Sequence, residues 1–349
     1  MSQTLDEPTG KSLHNILRAY SVLVSPKTLA FPSNLPFTVV HDFILHSILL
    51  SRHLQRYPPS INYQLRFWKW VIYNLEGMIG DQDVEVDERF YEHQISLLTS
   101  TEYLPQDVAL PPPPSFVTHY WRPKLMDPQK IDLAISGMGL TVLPDYITTT
   151  LLESRTTIES GTTGLRTWRA SFVLAQYLIA HPELVAGRNI IELGSGTGFL
   201  GAILASLQTL FPPSPQNDSD GPSLWLTDVS EQVLERCSEN INLPCNISSR
   251  HPRISIRPLD WFDVLDPRLE LPITTFLSEA NPELVLGADI VYDPDVVPAL
   301  LGTIKLALTV NPTDDEQPNH KHALLALTVR NEHTTRAFLD ALGSPTSAC

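Results

Sequence analysis

Three glycines at alternate positions, Gly194, Gly196 and Gly198, follow a short apolar run that carries an acid at Glu192. An apolar helical pattern over residues 199–210 comes directly after them. Buried strand, tight loop, then helix is the layout of a nucleoside-cofactor site in an α/β fold. Glycine lets a backbone come close to a ligand where a Cβ would collide. The dinucleotide fingerprint G-x-G-x-x-G would want its third glycine at position 199, which holds Phe199.

The segments around this turn alternate. Residues 189–193, 224–227, 254–256, 283–288 and 322–329 read as strands. Residues 165–180, 230–241, 296–308 and 332–342 read as helices, the first carrying Trp168 and the second N-capped by Ser230. This predicts an α/β, Rossmann-like domain, a mostly parallel sheet with helices on both faces. Ligands of such sheets lie at the carboxyl ends of the strands. The turn from Glu192 to Gly198, Asp228, Trp261 and residues 289–292 all fall there.

Residues 1 to about 110 read as helical, with Leu13, Ile16, Leu17 and Tyr20, then Leu65, Trp68, Ile72 and Leu75, at helical spacing. The four prolines at 111–114 punctuate the chain. We therefore expect a helical N-terminal region over 1–143, concerned with substrate recognition, and the α/β domain over 144–349. Polar stretches at 211–222 and 311–320 read as surface insertions. The tail at 343–349 has no strand pattern.

The formal net charge of −15 argues against a nucleic-acid backbone as the main partner, because phosphate binding needs a positive surface. A basic protein partner is compatible with it. The three cysteines form no C-x-x-C pair, so no zinc site or disulfide framework is expected. No secretory signal and no membrane-length apolar run is expected. His320 and His322 lack companions for a metal site and read as exposed or capping.

Several residues could carry chemistry. Glu192 can act electrostatically on a cationic ligand, directly or through water, or serve a helix N-terminus. Asp228 ends the second strand, where a carboxylate accepts hydrogen bonds from ribose hydroxyls or caps the helix at Ser230. Asp260 can accept from an adenine amino group, and Trp261 can stack on the ring or simply fill a sheet edge. Asp289 and Tyr292, in the run Asp289-Ile-Val-Tyr292, follow the fourth strand and can orient an incoming amine.

The run Gly164-Leu-Arg-Thr-Trp168, Glu192-Leu-Gly-Ser-Gly-Thr-Gly198, Thr227-Asp228, Asp260-Trp261 and Gly287-Ala-Asp-Ile-Val-Tyr-Asp-Pro294 resembles the seven-β-strand protein-lysine methyltransferases called methyltransferase family 16. The spacing from Asp289 to Tyr292 matches that family's D-x-x-Y signature. The resemblance implies a cytoplasmic enzyme that uses S-adenosylmethionine (SAM) to methylate a lysine of translation elongation factor 2. It implies no direct nucleic-acid or membrane partner, and a monomer is expected. Carried over by motif, Trp168, Glu192, Gly194, Ser195, Gly196, Asp228, Asp260, Trp261 and Ala288 would hold the cofactor, and Asp289 and Tyr292 would face the lysine. Sheets of this family normally add two antiparallel strands after the fifth, and the tail shows no pattern for them. Two alternatives stay open: a non-catalytic or truncated SAM-binding protein of the same fold, and an NAD-dependent oxidoreductase.

Overall fold

The structure is a computed structural model that describes residues 7–80, 83–100, 112–123, 146–159, 161–212, 221–311 and 321–343. The expected boundary at residue 143, most of the two polar insertions with His320, Cys349 and the tail from 344 lie outside the described residues. The chain divides into two compact units, Met1–Thr156 and Thr157–Cys349.

The first unit holds helices α1 (Glu7–Ser21), α2 (Phe37–Ile44), α3 (Arg52–Arg56), α4 (Ile61–Ile79) and α5 (Glu88–Leu98), and strands β1 (Ser115–Trp121) and β2 (Ile147–Glu153). Leu13, Ile16, Leu17 and Tyr20 of α1 are all buried, as their spacing predicts. On α4 the buried stripe runs Tyr63, Phe67, Trp68, Val71 and Leu75. The expected Leu65 and Ile72 lie at its border, only partly buried, because the rings of Phe67 and Trp68 take the centre.

Strands β1 and β2 pair antiparallel, from Ser115 opposite Glu153 to Trp121 opposite Ile147. The sequence reading places no strand in either segment. The structure buries Thr148, Thr149 and Thr150 and pairs the hydroxyls of Thr149 and Thr150, while Thr148 Oγ1 has no partner. Thr150 Oγ1 lies 3.0 Å from Thr118 Oγ1 and 3.1 Å from His53 Nε2, and Trp121 Nε1 donates to Thr149 Oγ1 at 3.0 Å. Threonine's branched Cβ favours a strand once its hydroxyl is paired.

The second unit alternates helix α6 (Arg169–Ala180), strand β3 (Ile190–Leu193), α7 (Phe199–Leu210), β4 (Leu224–Asp228), α8 (Glu231–Ile241), β5 (Ile254–Pro258), α9 (Glu270–Ala280), β6 (Leu284–Ala288), α10 (Val297–Thr309), β7 (His322–Ala326) and α11 (Glu332–Gly343). Its sheet runs β5-β4-β3-β6-β7, all parallel. This is the expected Rossmann-like α/β sheet. No strand follows β7 among the described residues. Chain order reverses beside β3: β4 and β5 lie on one side of it, β6 and β7 on the other. The crevice at that reversal is where open α/β sheets bind ligands.

Period-two alternation decides what each face of β3 meets. Ile191 and Leu193 join Val285 and Trp225 in an apolar cluster with residues of α9 and α10. Glu192 points to the opposite face, beneath α7. Two details differ from the sequence reading. Trp168 stands just before α6, with extended backbone (φ −96°, ψ 160°), rather than inside it. Helix α9 is absent from the sequence reading; its Pro272 sits in the first turn, where no intrahelical N–H is required.

Leu226 is fully buried on β4, and its methyl carbons occupy the space where a Cβ on Gly201 of α7 would come within 2.7 Å. Replacing Leu226 with Ala opens a cavity under α7 and is expected to cost about 2–5 kcal/mol, read as a lowered urea midpoint with unchanged slope.

Candidate active site

A cavity of about 310 Å³ lies at the carboxyl ends of β3, β4 and β6. Its floor is the glycine turn. Gly194 has a left-handed φ of 67°, and a Cβ there would fall 2.8 Å from Ile290 Cγ2 and 3.5 Å from the Trp261 ring. Gly196 has φ 55°, and a Cβ there would fall 3.1 Å from the Gly164 carbonyl oxygen. Both positions therefore need glycine for conformation and for space. Ser195 ties the turn to β4: its N–H donates to Thr227 O at 2.8 Å and its Oγ accepts from Thr227 N at 3.1 Å.

The expected cofactor residues Trp168, Gly194, Ser195, Gly196, Asp228, Asp260, Trp261 and Ala288 all line this cavity, as do Asp289 and Tyr292. Glu192 is not among its lining residues. It is 2 % exposed, and its Oε2 has no hydrogen-bond partner. Burial pushes its carboxyl up to about 8, and the nearby Asp228 carboxylate adds to the rise. At neutral pH most of it is uncharged, and it lies beneath the turn rather than in the cavity.

Asp228 serves the local fold and the cavity together. Oδ1 accepts from Ser230 N at 3.2 Å and Oδ2 from Gly196 N at 3.3 Å. Burial raises its pKa, and the backbone N–H groups of Ser230, Gly196 and Val229 work against that rise. Asp260 Oδ1 accepts from Phe262 N at 2.9 Å and caps the short helical turn that carries Trp261. The Trp261 indole Nε1 is buried without a hydrogen-bond partner.

Asp289 adopts φ 59°, in the left-handed region that asparagine and aspartate tolerate better than most residues. Its carboxylate is enclosed by donors: Oδ1 accepts from Thr328 N at 2.8 Å, and Oδ2 from Thr328 Oγ1 at 3.0 Å, Ala170 N at 3.3 Å and Arg330 at 3.1 Å. Tyr292, by contrast, is 63 % exposed at the cavity's edge. Burial of its hydroxyl, then the carboxylates of Asp228, Asp293 and Asp260, raise its pKa, so the phenol stays protonated.

Sequence reasoning missed one wall. Thr162, Thr163, Gly164, Arg166, Thr167 and Ser171 line the cavity, with Thr167 Oγ1 2.9 Å from Thr197 Oγ1. The Gly164 carbonyl's approach to Gly196 fixes this wall, a long-range contact that no local pattern announces. Val229 and Phe262 also line the cavity, each directly after a residue already singled out. Among the described residues no cluster of His, Cys, Asp or Glu could hold a metal ion, and no helix is long and apolar enough to cross a membrane.

Residues 150–343, more than half of the chain, match the family described as lysine methyltransferase. The chain belongs to this family of methyl-transferring enzymes. It is 29% identical over 287 residues to the protein-lysine N-methyltransferase EFM3 of Chaetomium thermophilum, covering 82% of this chain and 73% of that one. It is 31% identical over 219 residues to the protein-lysine N-methyltransferase EEF2KMT of Bos taurus, covering 58% of each chain. The human protein of the same name is 29% identical over 210 residues, which cover 58% of this chain and 56% of that one. The alignments thus span from just over half to about three quarters of the length of these relatives.

The Glu192 carboxyl gives a pH signature. Its folded value of about 8 lies above the ordinary 4.5. Between these values the unfolded chain gives up a proton that the folded chain keeps, so stability falls as pH rises, by up to about 1.4 kcal/mol per pH unit. Glu192→Gln is expected to flatten that fall, seen as a smaller drop in urea midpoint between about pH 5 and about pH 8 than the parent shows.

Proposed function

We propose that this lysine methyltransferase family member uses SAM as methyl donor and transfers the methyl to a lysine of translation elongation factor 2 in the cytoplasm. The observation that carries the cofactor reading is the character of the cavity. A glycine cradle with no room for a Cβ, the Trp261 ring and two carboxylates, Asp228 and Asp260, meet in one enclosure. A carboxylate at Asp228 suits the ribose of either an adenosyl sulfonium or a dinucleotide, and Phe199, standing where the dinucleotide fingerprint wants its third glycine, favours the sulfonium ligand. Arg166 is the one cationic side chain among the described lining residues.

When bound, SAM supplies a methyl group made electrophilic by its sulfonium. The chain's own residues would do the rest. Asp228 would accept from ribose hydroxyls while its other contacts hold the turn. The Trp261 ring would face the base, with Leu259 and Val229 beside it. The backbone of residues 194–196 would follow the ligand's amino-acid portion. Glu192 would support that turn from below.

At the rim, Tyr292 stands among the carboxylates of Asp228, Asp260 and Asp293. Such a setting draws a lysine ammonium toward the cavity and accepts a hydrogen bond from it. Transfer needs the neutral amine, whereas a free lysine side chain has a pKa of about 10.4. Burial of the incoming chain against the Tyr292 ring would favour the neutral form. Catalysis would then come from alignment and fixed polar groups. Asp289 would fix the wall on which this end of the cavity depends. An acidic chain meeting a lysine-bearing surface is electrostatically matched, and the motif wording around Trp168 and Tyr292 supports elongation factor 2 as the substrate.

The test is to incubate the full chain with elongation factor 2 and methyl-labelled SAM, then map the label by peptide mass spectrometry. We expect label on one lysine of the factor. Label on other proteins of a cell extract but none on the factor would reject the substrate, and no protein label at all would reject the activity.

A further inference from the structure

Arg330 lies beyond β7, carries no motif and is absent from the cavity lining. Its guanidinium carbon nevertheless sits 4.4 Å from the centre of the Trp168 ring, and its Nη2 lies 3.1 Å from Asp289 Oδ2. The two ends of this ion pair differ sharply. The Asp289 side chain is 5 % exposed and that of Arg330 46 % exposed. Asp289 is held on three further sides by Thr328 and the Ala170 N–H, so it cannot move to follow the arginine. The anchored carboxylate therefore sets where the guanidinium lies, and the guanidinium covers one face of Trp168. On its edge, the Trp168 Nε1 donates to Thr163 O at 3.0 Å. Trp168 and Thr163 both line the cavity.

We propose that Arg330 is a positioning residue. With Asp289 it clamps the Trp168 indole as a fixed wall of the cavity, and so sets cofactor affinity without touching the cofactor. This rests on the SAM reading above and deepens it, because it gives the first residue of the D-x-x-Y signature a holding task. Trp168 precedes its helix in extended backbone. An indole held at one edge by a single hydrogen bond can swing. A planar cation held over its face prevents that. Lysine could keep the charge beside Asp289, but it offers no flat surface to stack.

The test uses the full chain and three variants, Arg330→Met, Arg330→Lys and Trp168→Phe. Acrylamide quenching of tryptophan fluorescence is measured without ligand, and the Trp168→Phe signal is subtracted to isolate Trp168. S-adenosylhomocysteine affinity is measured by calorimetry on the same samples, with melting temperature as the control for folding. We expect Arg330→Met to melt within a few degrees of the parent, to raise Trp168 quenching about twofold and to weaken S-adenosylhomocysteine about tenfold. Arg330→Lys should also quench more than the parent. Quenching and affinity both unchanged in Arg330→Met would overturn the proposal, as would a Lys variant indistinguishable from the parent if the Met variant fails to fold. Quenching raised with affinity unchanged would also overturn it, because the wall would then not set cofactor binding. A parent chain that binds no S-adenosylhomocysteine would overturn the cofactor reading itself, and the quenching comparison alone would still show whether Arg330 holds the ring.

Discussion

The site depends on one constraint: the chain must turn from β3 into α7 with left-handed backbone at Gly194 and Gly196, where neighbouring atoms leave no room for a side chain. Ile290 and Trp261 close one side of that turn and the Gly164 carbonyl closes the other. The turn is therefore held by elements far apart in sequence. Ile290 reaches it because β6 lies beside β3 in the sheet, whereas Trp261 follows β5 and Gly164 precedes α6. The sheet order, the cavity and the turn form one arrangement: parallel pairing places the strand ends together, and the missing Cβ atoms leave the space between them.

Four carboxyl groups around this turn have the same chemistry and different surroundings. Glu192 is buried beneath α7 and mostly protonated near neutral pH. Asp228 divides its oxygens between the Ser230 and Gly196 N–H groups and still lines the cavity. Asp260 caps the turn that presents Trp261. Asp289 is enclosed by donors and joined to Arg330. Burial and the local donor set, rather than residue type, set how each acid divides between the cavity and the frame.

Much of this was legible in the sequence. Strands with apolar runs such as 190–193 and 284–288 announce a sheet buried on both faces, and glycines after the first of them announce the ligand turn. Asp228, Asp260, Trp261, Asp289 and Tyr292 could be placed because each follows a strand, and strand ends meet in a parallel sheet. What stayed hidden depends on tertiary contact. Nothing local says that Glu192 turns away beneath α7, that Trp168 stops short of its helix, or that Arg330 reaches back over the Trp168 ring. The β1–β2 pair was hidden differently: Thr149 and Thr150 look polar until Trp121 and His53 pair with their hydroxyls.

The central claim is that the cavity at the ends of β3, β4 and β6 takes an adenosyl sulfonium ligand and refuses a dinucleotide. Parallel calorimetric titrations of the full chain with S-adenosylhomocysteine and with NAD test it most directly. The account predicts saturable heat at one site for S-adenosylhomocysteine and none for NAD at the same concentrations. Saturable binding of NAD, or no binding of S-adenosylhomocysteine by folded protein, would contradict it.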